Sequence, residues 1–226
     1  MASNTKALTR YPLPKIKTNN NENKKTMYVV CADLEGVFVP EVWINVAEKT
    51  GIPELRLTTR DVSDYNVLMN HRLKILEEKG LKLKDIQNVI ASIKPLDGAI
   101  DFIRWIRETA QLIIVSDTFA QFADPLMKQL ERPTLFCHNL VIDGNDNITD
   151  YQLRQEDPKR KVVEALQSLN YKVAAFGDSY NDTTMLQQAD KGILFRPPQN
   201  VINDFPQLPV TQNYKELKIL LEKCMA

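Results

Sequence analysis

Three acidic clusters in this chain each follow a short apolar run: Asp33-Leu34-Glu35-Gly36, Ser116-Asp117-Thr118, and Gly177-Asp178 with Asn181 and Asp182. Carboxylates gathered at one sheet edge repel one another unless a cation neutralises them, and an all-oxygen set suits a hard ion such as Mg2+. Ser116 and Lys159 suit phosphate oxygens, Lys159 standing in the lysine-rich stretch from Pro158 to Lys161 that opens a predicted helix. A metal, a phosphate cradle and a free carboxylate nucleophile make a phosphoryl-transfer site. Each piece has an ordinary alternative. Asp33 with Glu35 is by itself a common strand-end turn, Ser116 suits a helix N-cap, and Lys161 competes with Lys159 for the phosphate. The addition of Asp178 and Asn181 favours catalysis, because several strand-end acids without a role would only destabilise the sheet.

For these clusters to meet, the apolar runs before them must be neighbouring strands. The runs ending at Ala32, Ser116 and Gly177 read as buried parallel strands, each succeeded by a helix, and Val162, Val163, Ala165, Leu166 and Leu169 supply a helical face before the third. This alternation predicts an α/β fold, a doubly wound parallel sheet with its chemistry at the carboxyl ends of the strands. Gly36 and Gly177 matter most among the glycines because they adjoin those acidic ends. Between the first two strands, residues 41–96 far exceed the roughly dozen residues of a crossover. They read as helical, with one helix from Asp64 through Glu78 stopped by Gly80 and another from Leu83 to Ile93 before Pro95. The expectation is a small helical cap, 41–96, inserted into a core made of 27–40 and 97–226. Leu140 to Asp143 and Ile148 to Leu153 suggest a hairpin about Gly144, and Asn213 to Lys223 a closing helix.

The 226 residues, 43% hydrophobic and 26% charged, suffice for one large domain or a domain with an insertion. Lys+Arg 29 against Asp+Glu 29 leaves no net charge, so the chain lacks the footprint of a nucleic-acid or membrane-surface binder. Cys31, Cys137 and Cys224 form no C-x-x-C pair, which fits a reducing interior. No apolar run approaches the ~18 residues of a membrane span, and the expected location is the cytoplasm. Residues 1–26 set Lys6, Arg10, Lys15, Lys17, Lys24 and Lys25 against Glu22 alone and read as a flexible basic tail, with organelle targeting as the lesser alternative. His71 and His138 are assigned to neither metal nor catalysis. Trp43, Trp105 and Phe119 read as packing, Phe119 being a secondary candidate to line the site. The sequence leaves a homodimer open.

In order, these motifs resemble the haloacid dehalogenase superfamily of aspartyl-phosphate phosphotransferases. Within it the chain is similar to the bifunctional phosphoserine phosphatase and phosphoserine:homoserine phosphotransferase family. The likeness is carried by Leu34 to Val37 with Val39-Pro40-Glu41 and Trp43, by TTRD at 58–61, LKLKDIQ at 81–87 and SDTF at 116–119, and by YQLRQ at 151–155, DPKR at 157–160 and GDSYNDTTML at 177–186. It spans Met27 to the C-terminus. The resemblance implies Asp33 as nucleophile, Glu35 as general acid and base with its backbone carbonyl on Mg2+, and Asp33 and Asp178 as side-chain metal ligands. It further implies Ser116, the backbone at Asp117, and Lys159 on the phosphoryl group, Asn181 on the substrate, and Asp182 orienting Lys159 or a metal-bound water. For the organic end of O-phospho-L-serine it sets Glu41 against the ammonium and Arg72 against the carboxylate, with L-homoserine as the alternative acceptor to water. Arg72 could otherwise pair with Glu77 or Glu78 on its helix face.

The chain departs from the wider superfamily pattern in three places. Glu35 stands where most phosphatases have Asp, Val37 replaces the usual hydroxyl residue, and Ser116 is followed by Asp117-Thr118 where typical phosphoserine phosphatases carry Gly-Gly. The first and third agree with the bifunctional family. Two rivals remain: a phosphatase of the same superfamily acting on another small phosphomonoester, which has no use for Glu41 and Arg72, and a non-catalytic Mg2+-binding interaction module.

Overall fold

The computed structural model describes residues 27–58, 61–62 and 64–225. The basic stretch 1–26, with both readings of it, lies outside them, as do Thr59 and Arg60 of the TTRD motif.

The central strand β1 (Tyr28–Ala32) shows how this sheet is built. Successive side chains point to opposite faces, and both faces of β1 are covered. Val30 and Ala32 join one apolar cluster with Ile114, Ala174 and Phe176. Val29 and Cys31 join another with Val115, Val173 and Ala175. Burial on both sides explains why the run is apolar throughout rather than alternating. β1 pairs in parallel with β2 (Gln111–Phe119) on one side and with β5 (Lys172–Gly177) on the other.

Beyond β2 lies β3 (Thr134–Ile142) and at that edge β4 (Ile148–Gln152); beyond β5 lie β6 (Lys191–Phe195) and β7 (Val210–Thr211), giving the order β4-β3-β2-β1-β5-β6-β7. All pairings are parallel except β3 with β4. The sheet is therefore a doubly wound α/β sheet with one antiparallel edge. Its strand order reverses between β1 and β5, and ligands of such sheets bind in the crevice at that reversal.

Three features of the sheet differ from the sequence expectation. β3 is longer than the predicted hairpin arm, because its first half pairs in parallel with β2 and only its second half, from Asn139, turns to β4. β6 and β7 have no counterpart in the expected set of strands, and β2 continues past Ser116 to Phe119 through a register shift after Val115.

Between β1 and β2 the chain forms α1 (Val42–Thr50), a 3-10 turn at Pro53–Arg56, α2 (Tyr65–Lys79), α3 (Leu83–Ser92) and α4 (Ala99–Thr109). Asp64 starts α2 by accepting N–H bonds from Asn66 and Val67 at 2.9 and 3.2 Å, the ordinary way to satisfy a helix's unpaired first donors. α3 through Ile86 and Ile90, α4 through Phe102, Ile103 and Ile106, and the closing helix α9 (Tyr214–Met225) through Leu217 and Leu221 share the first cluster with α5 (Ala120–Gln129). α6 (Pro158–Ser168), α7 (Thr183–Gln188) and α8 (Gln199–Asp204) cover the opposite face through Val162, Val163, Met185, Leu186 and Val201. Among the described residues no helix is long and apolar enough to cross a membrane.

Candidate active site

Asp33 is the first residue past the end of β1, and its N–H donates to Phe176 O on β5 at 3.1 Å, so the sheet ladder itself fixes its place. Asp178 follows β5, and the two acids face each other across the strand-order reversal. Gly36 makes this approach possible. A β-carbon there would stand 2.5 Å from Asp178 Oδ2, and φ is +73°, a region costly for any residue with a side chain. Gly177 does the same for Asp182, whose Cγ would lie 2.3 Å from a β-carbon.

Lys159, on the first turn of α6, is 2% exposed and joins these acids from the opposite face. Its Nζ donates to Asp33 Oδ1 at 2.8 Å and to Asp182 Oδ1 at 2.7 Å, and lies 3.6 Å from Asp117 Oδ2. Burial works against the ammonium, yet the carboxylates of Asp182, Asp33 and Asp117 outweigh it and hold Lys159 charged. Lys161 instead pairs with Glu164 on the exposed side of the helix. Asp182 turns its other oxygen to the backbone N–H groups of Asp178 and Ser179 at 2.9 and 3.1 Å. It is thus the anchor of both Lys159 and the loop after β5.

Asp33, Asp178 and Asp182 each bring a carboxylate oxygen within 4.8 Å of the others, all three buried. The Asp33 carboxyl is pushed well above its usual range by burial and by Asp182 and Asp178, although Lys159 opposes this. Lys159 offsets part of the charge of Asp33 and Asp182, and buried carboxylates are costly unless compensated. The donors are hard oxygens of the kind a divalent magnesium ion takes. With Asp182 occupied by Lys159 and the loop, Asp33 and Asp178 are the acids that fit such an ion.

Glu35 sits where the chain leaves the sheet for α1. Its Oε2 accepts the N–H of Val42 at 2.8 Å, at the helix N-terminus, where a negative group is favoured. Burial and then the neighbouring Glu41 raise its carboxyl to about 7, against the pull of the Val42 N–H, Arg72 and Lys159. Arg72 arrives from α2. Its Nη2 donates to Leu57 O at 2.8 Å, its guanidinium stacks over Trp43, and its buried Nε has no hydrogen-bond partner among the described residues. Burial lowers it to about 10, with Tyr65, Glu35 and Glu41 acting in the other direction. The helix-face pairing with Glu77 or Glu78 does not form; Glu78 lies near Lys74 instead.

A cleft of about 80 Å3 opens among Asp33, Glu35, Glu41, Arg72, Ser116, Asp117, Lys159, Asp178 and Asn181, room for a few waters or one small polar ligand. Asp182 lies behind its wall. Ser116 lies within β2, and its Oγ accepts the Thr118 N–H at 3.2 Å; the N-cap position of α5 belongs to Phe119. Phe119 packs against Phe122, His138 and Tyr151 and does not line the cleft.

Sequence reasoning missed three neighbours of the site. Trp43, read as packing, lines the cleft beneath Arg72. Tyr65 lines it too, and its hydroxyl donates to the Asp117 backbone carbonyl at 2.9 Å. His138 is 2% exposed, with Nε2 3.5 Å from Asp117 Oδ1. The signals available were a histidine in a largely apolar strand and the place of Trp43 in the first motif.

Fold and geometry together define a family, and the chain belongs to it: the haloacid dehalogenase-like hydrolases, whose family model matches residues 30–190. Among individual proteins it is 60% identical over 192 residues to a Pseudomonas aeruginosa protein named phosphoserine phosphatase ThrH, covering 85% of this chain and 94% of that one. It is 54% identical over 219 residues to the phosphoserine phosphatase of Pseudomonas syringae pv. tomato, covering 95% and 92%. These relatives agree with the resemblance read from the motifs. A substrate-bound phosphoserine phosphatase complex superposes with TM-score 0.71 at 16% identity, covering 87% of this chain and 99% of that chain. A phospho-aspartyl intermediate analogue of phosphoserine phosphatase gives 0.69 at 17% identity, with the same coverage. At such identities the likeness is one of fold.

Proposed function

We propose that this protein is a Mg2+-dependent phosphoserine phosphatase that also transfers the phosphoryl group to L-homoserine, working through an aspartyl-phosphate on Asp33. One observation carries the choice of substrate: Arg72, a buried guanidinium whose Nε has no hydrogen-bond partner among the described residues, lines the same cleft as Asp33. A carboxylate is the natural partner of such a fork, and Glu41 on the cleft wall suits an ammonium. The names of the Pseudomonas relatives support the same substrate. Residues 41–96, which bring Arg72 and Glu41, act in this reading as a cap that closes on the amino-acid end.

Asp33, with Asp178 and the Glu35 backbone carbonyl, would hold the magnesium ion. The bound ion would neutralise Asp33 and polarise the phosphoryl oxygens. The Asp33 carboxylate attacks phosphorus, the P–O bond to serine breaks, and Glu35 gives its proton to the departing oxygen. Ser116 and Lys159 offset the negative charge of the moving phosphoryl group. Glu35, now a carboxylate, takes the proton of water or of the homoserine hydroxyl. The new oxygen attacks phosphorus and Asp33 is released.

The test is a product assay with purified protein, Mg2+ and O-phospho-L-serine, with and without L-homoserine, following free phosphate and O-phosphohomoserine separately. Phosphohomoserine formed at the expense of phosphate supports both activities; phosphate alone leaves a phosphatase; neither product refutes the proposal.

A further inference from the structure

A second cavity, of about 610 Å3, adjoins the phosphoryl cleft and shares Tyr65, Asp117, Ser179 and Asn181 with it. Those shared residues form a wall, and Asp117 is its centre. Asn181 Nδ2 donates to Asp117 Oδ2 at 2.9 Å, the Tyr65 hydroxyl donates to the Asp117 carbonyl at 2.9 Å, and the Ser179 hydroxyl bonds the Asn181 amide oxygen. His138 adjoins the Asp117 carboxylate. Its Nδ1 accepts the Arg154 N–H at 3.1 Å, so the neutral ring carries its proton on Nε2, the atom 3.5 Å from Asp117 Oδ1.

The wall separates two chemically different spaces. On the cleft side stand the cations Lys159 and Arg72 that suit a phosphoester. Among the described residues the second cavity is lined by no lysine or arginine; Glu156 and Asp157 belong to its lining, with Leu153 and Tyr180, both 40% exposed, at its mouth. A solvent-reaching cavity two contacts from the nucleophile, Asp33 to Lys159 and Lys159 to Asp117, is a source of water for an acyl phosphate.

We propose that Asp117, fixed by His138, is a partition that keeps water in the second cavity from the phosphoenzyme and thereby sets the ratio of transfer to hydrolysis. His138 is a positioning residue: it acts on the reaction through Asp117. The inference rests on the aspartyl-phosphate reading of Asp33. Opening the partition leaves the donor's contacts with Arg72, Ser116 and Lys159 in place and adds a water path to the intermediate, so hydrolysis gains and transfer loses.

The experiment measures phosphoenzyme lifetime by rapid quench without acceptor, and the phosphohomoserine-to-phosphate ratio at saturating L-homoserine. His138→Phe keeps the ring and removes the donor, whereas His138→Asn keeps a donor. The lifetime in His138→Phe should fall about fivefold, the equivalent of one ordinary hydrogen bond, with products shifted toward phosphate and KM for O-phospho-L-serine unchanged. His138→Asn should stay near wild type. A folded His138→Phe with unaltered lifetime overturns the proposal, as do equal losses in both variants, which would mark a merely structural histidine. Should His138→Phe not fold, Tyr65→Phe loosens Asp117 from the other side, and an unaltered lifetime there counts equally against it. If O-phospho-L-serine forms no phosphoenzyme, the substrate reading fails, while p-nitrophenyl phosphate as donor still reads the partition through the same lifetime. If neither donor phosphorylates the protein, both readings fall.

Discussion

Arg72 lies over the indole of Trp43, its guanidinium carbon 4.4 Å from the ring centroid, and Trp43 is itself held edge-on by Phe122 at 5.7 Å. The fork from α2 is thus aimed by a platform on α1, which is in turn braced by α5. A lysine cannot reproduce either the stack or the fork. Arg72→Ala should raise KM for O-phospho-L-serine about tenfold to a hundredfold, the range for a lost charged hydrogen bond, and Arg72→Lys should recover little of it. Hydrolysis of p-nitrophenyl phosphate, which has no carboxylate, should change far less. Steady-state kinetics on both substrates checks this, and an unchanged KM would remove the amino-acid substrate.

Asp33→Asn should abolish phosphoenzyme formation while the fold is retained. The substituted amide would keep a carbonyl oxygen to accept from Lys159 but would lack the charge to attack phosphorus. Acid-quenched labelling with radioactive O-phospho-L-serine reads the first part and circular dichroism the second. Label on the variant would assign the nucleophile elsewhere.

Burial and the neighbouring Glu41 push the Glu35 carboxyl up to about 7, and in the proposed mechanism its protonation acts with opposite sign in the two half-reactions. Donating a proton to the leaving serine needs the acid form, so single-turnover phosphorylation should slow as pH rises through about 7. Deprotonating water needs the carboxylate, so breakdown of the phosphoenzyme should slow as pH falls through the same value. Glu35→Gln should lose both limbs; a limb that persists in that variant belongs to another group.

Gly36→Ala should weaken the metal requirement's structural basis more than it weakens the fold. The added carbon strikes the Asp178 carboxylate and meets a positive φ, which costs roughly 1–2 kcal/mol. The Mg2+ concentration for half-maximal activity should rise about tenfold or more, as when a group orienting a ligand is lost, while a melting curve shows a modest drop. Unchanged Mg2+ dependence would separate Asp178 from the metal.

What the sequence showed best was local. Each acidic cluster is preceded by an apolar run that lies in a strand, the second cluster falling inside its strand, and Asp64 and Gly80 bound α2 because caps and stops are written in a few adjacent residues. β6 escaped notice because its buried part is only Ile193, Leu194 and Phe195, too short to show a period. Tyr65 and His138 belong to none of the motifs, and Trp43, though part of the first one, carries no chemistry that would mark it as a site residue. Tyr65, Trp43 and His138 reach the site from α2, α1 and β3, and only the packing of α2 on β4, of Trp43 on Phe122 of α5 and of β3 beside β2 brings them there. The reach of β3 was likewise set by its two partners rather than by its own residues.

The order of the sheet has a consequence for how such a protein changes over generations. The groups proposed for phosphorus chemistry hang from β1, β2, β5 and the start of α6, elements whose displacement would tear the ladder at its centre. Those proposed to choose the molecule, Glu41 and Arg72, stand beside and on helices threaded through a single gap in the strand sequence. A lineage can therefore rewrite that one stretch, in length as well as in composition, and inherit a working phosphoryl engine intact.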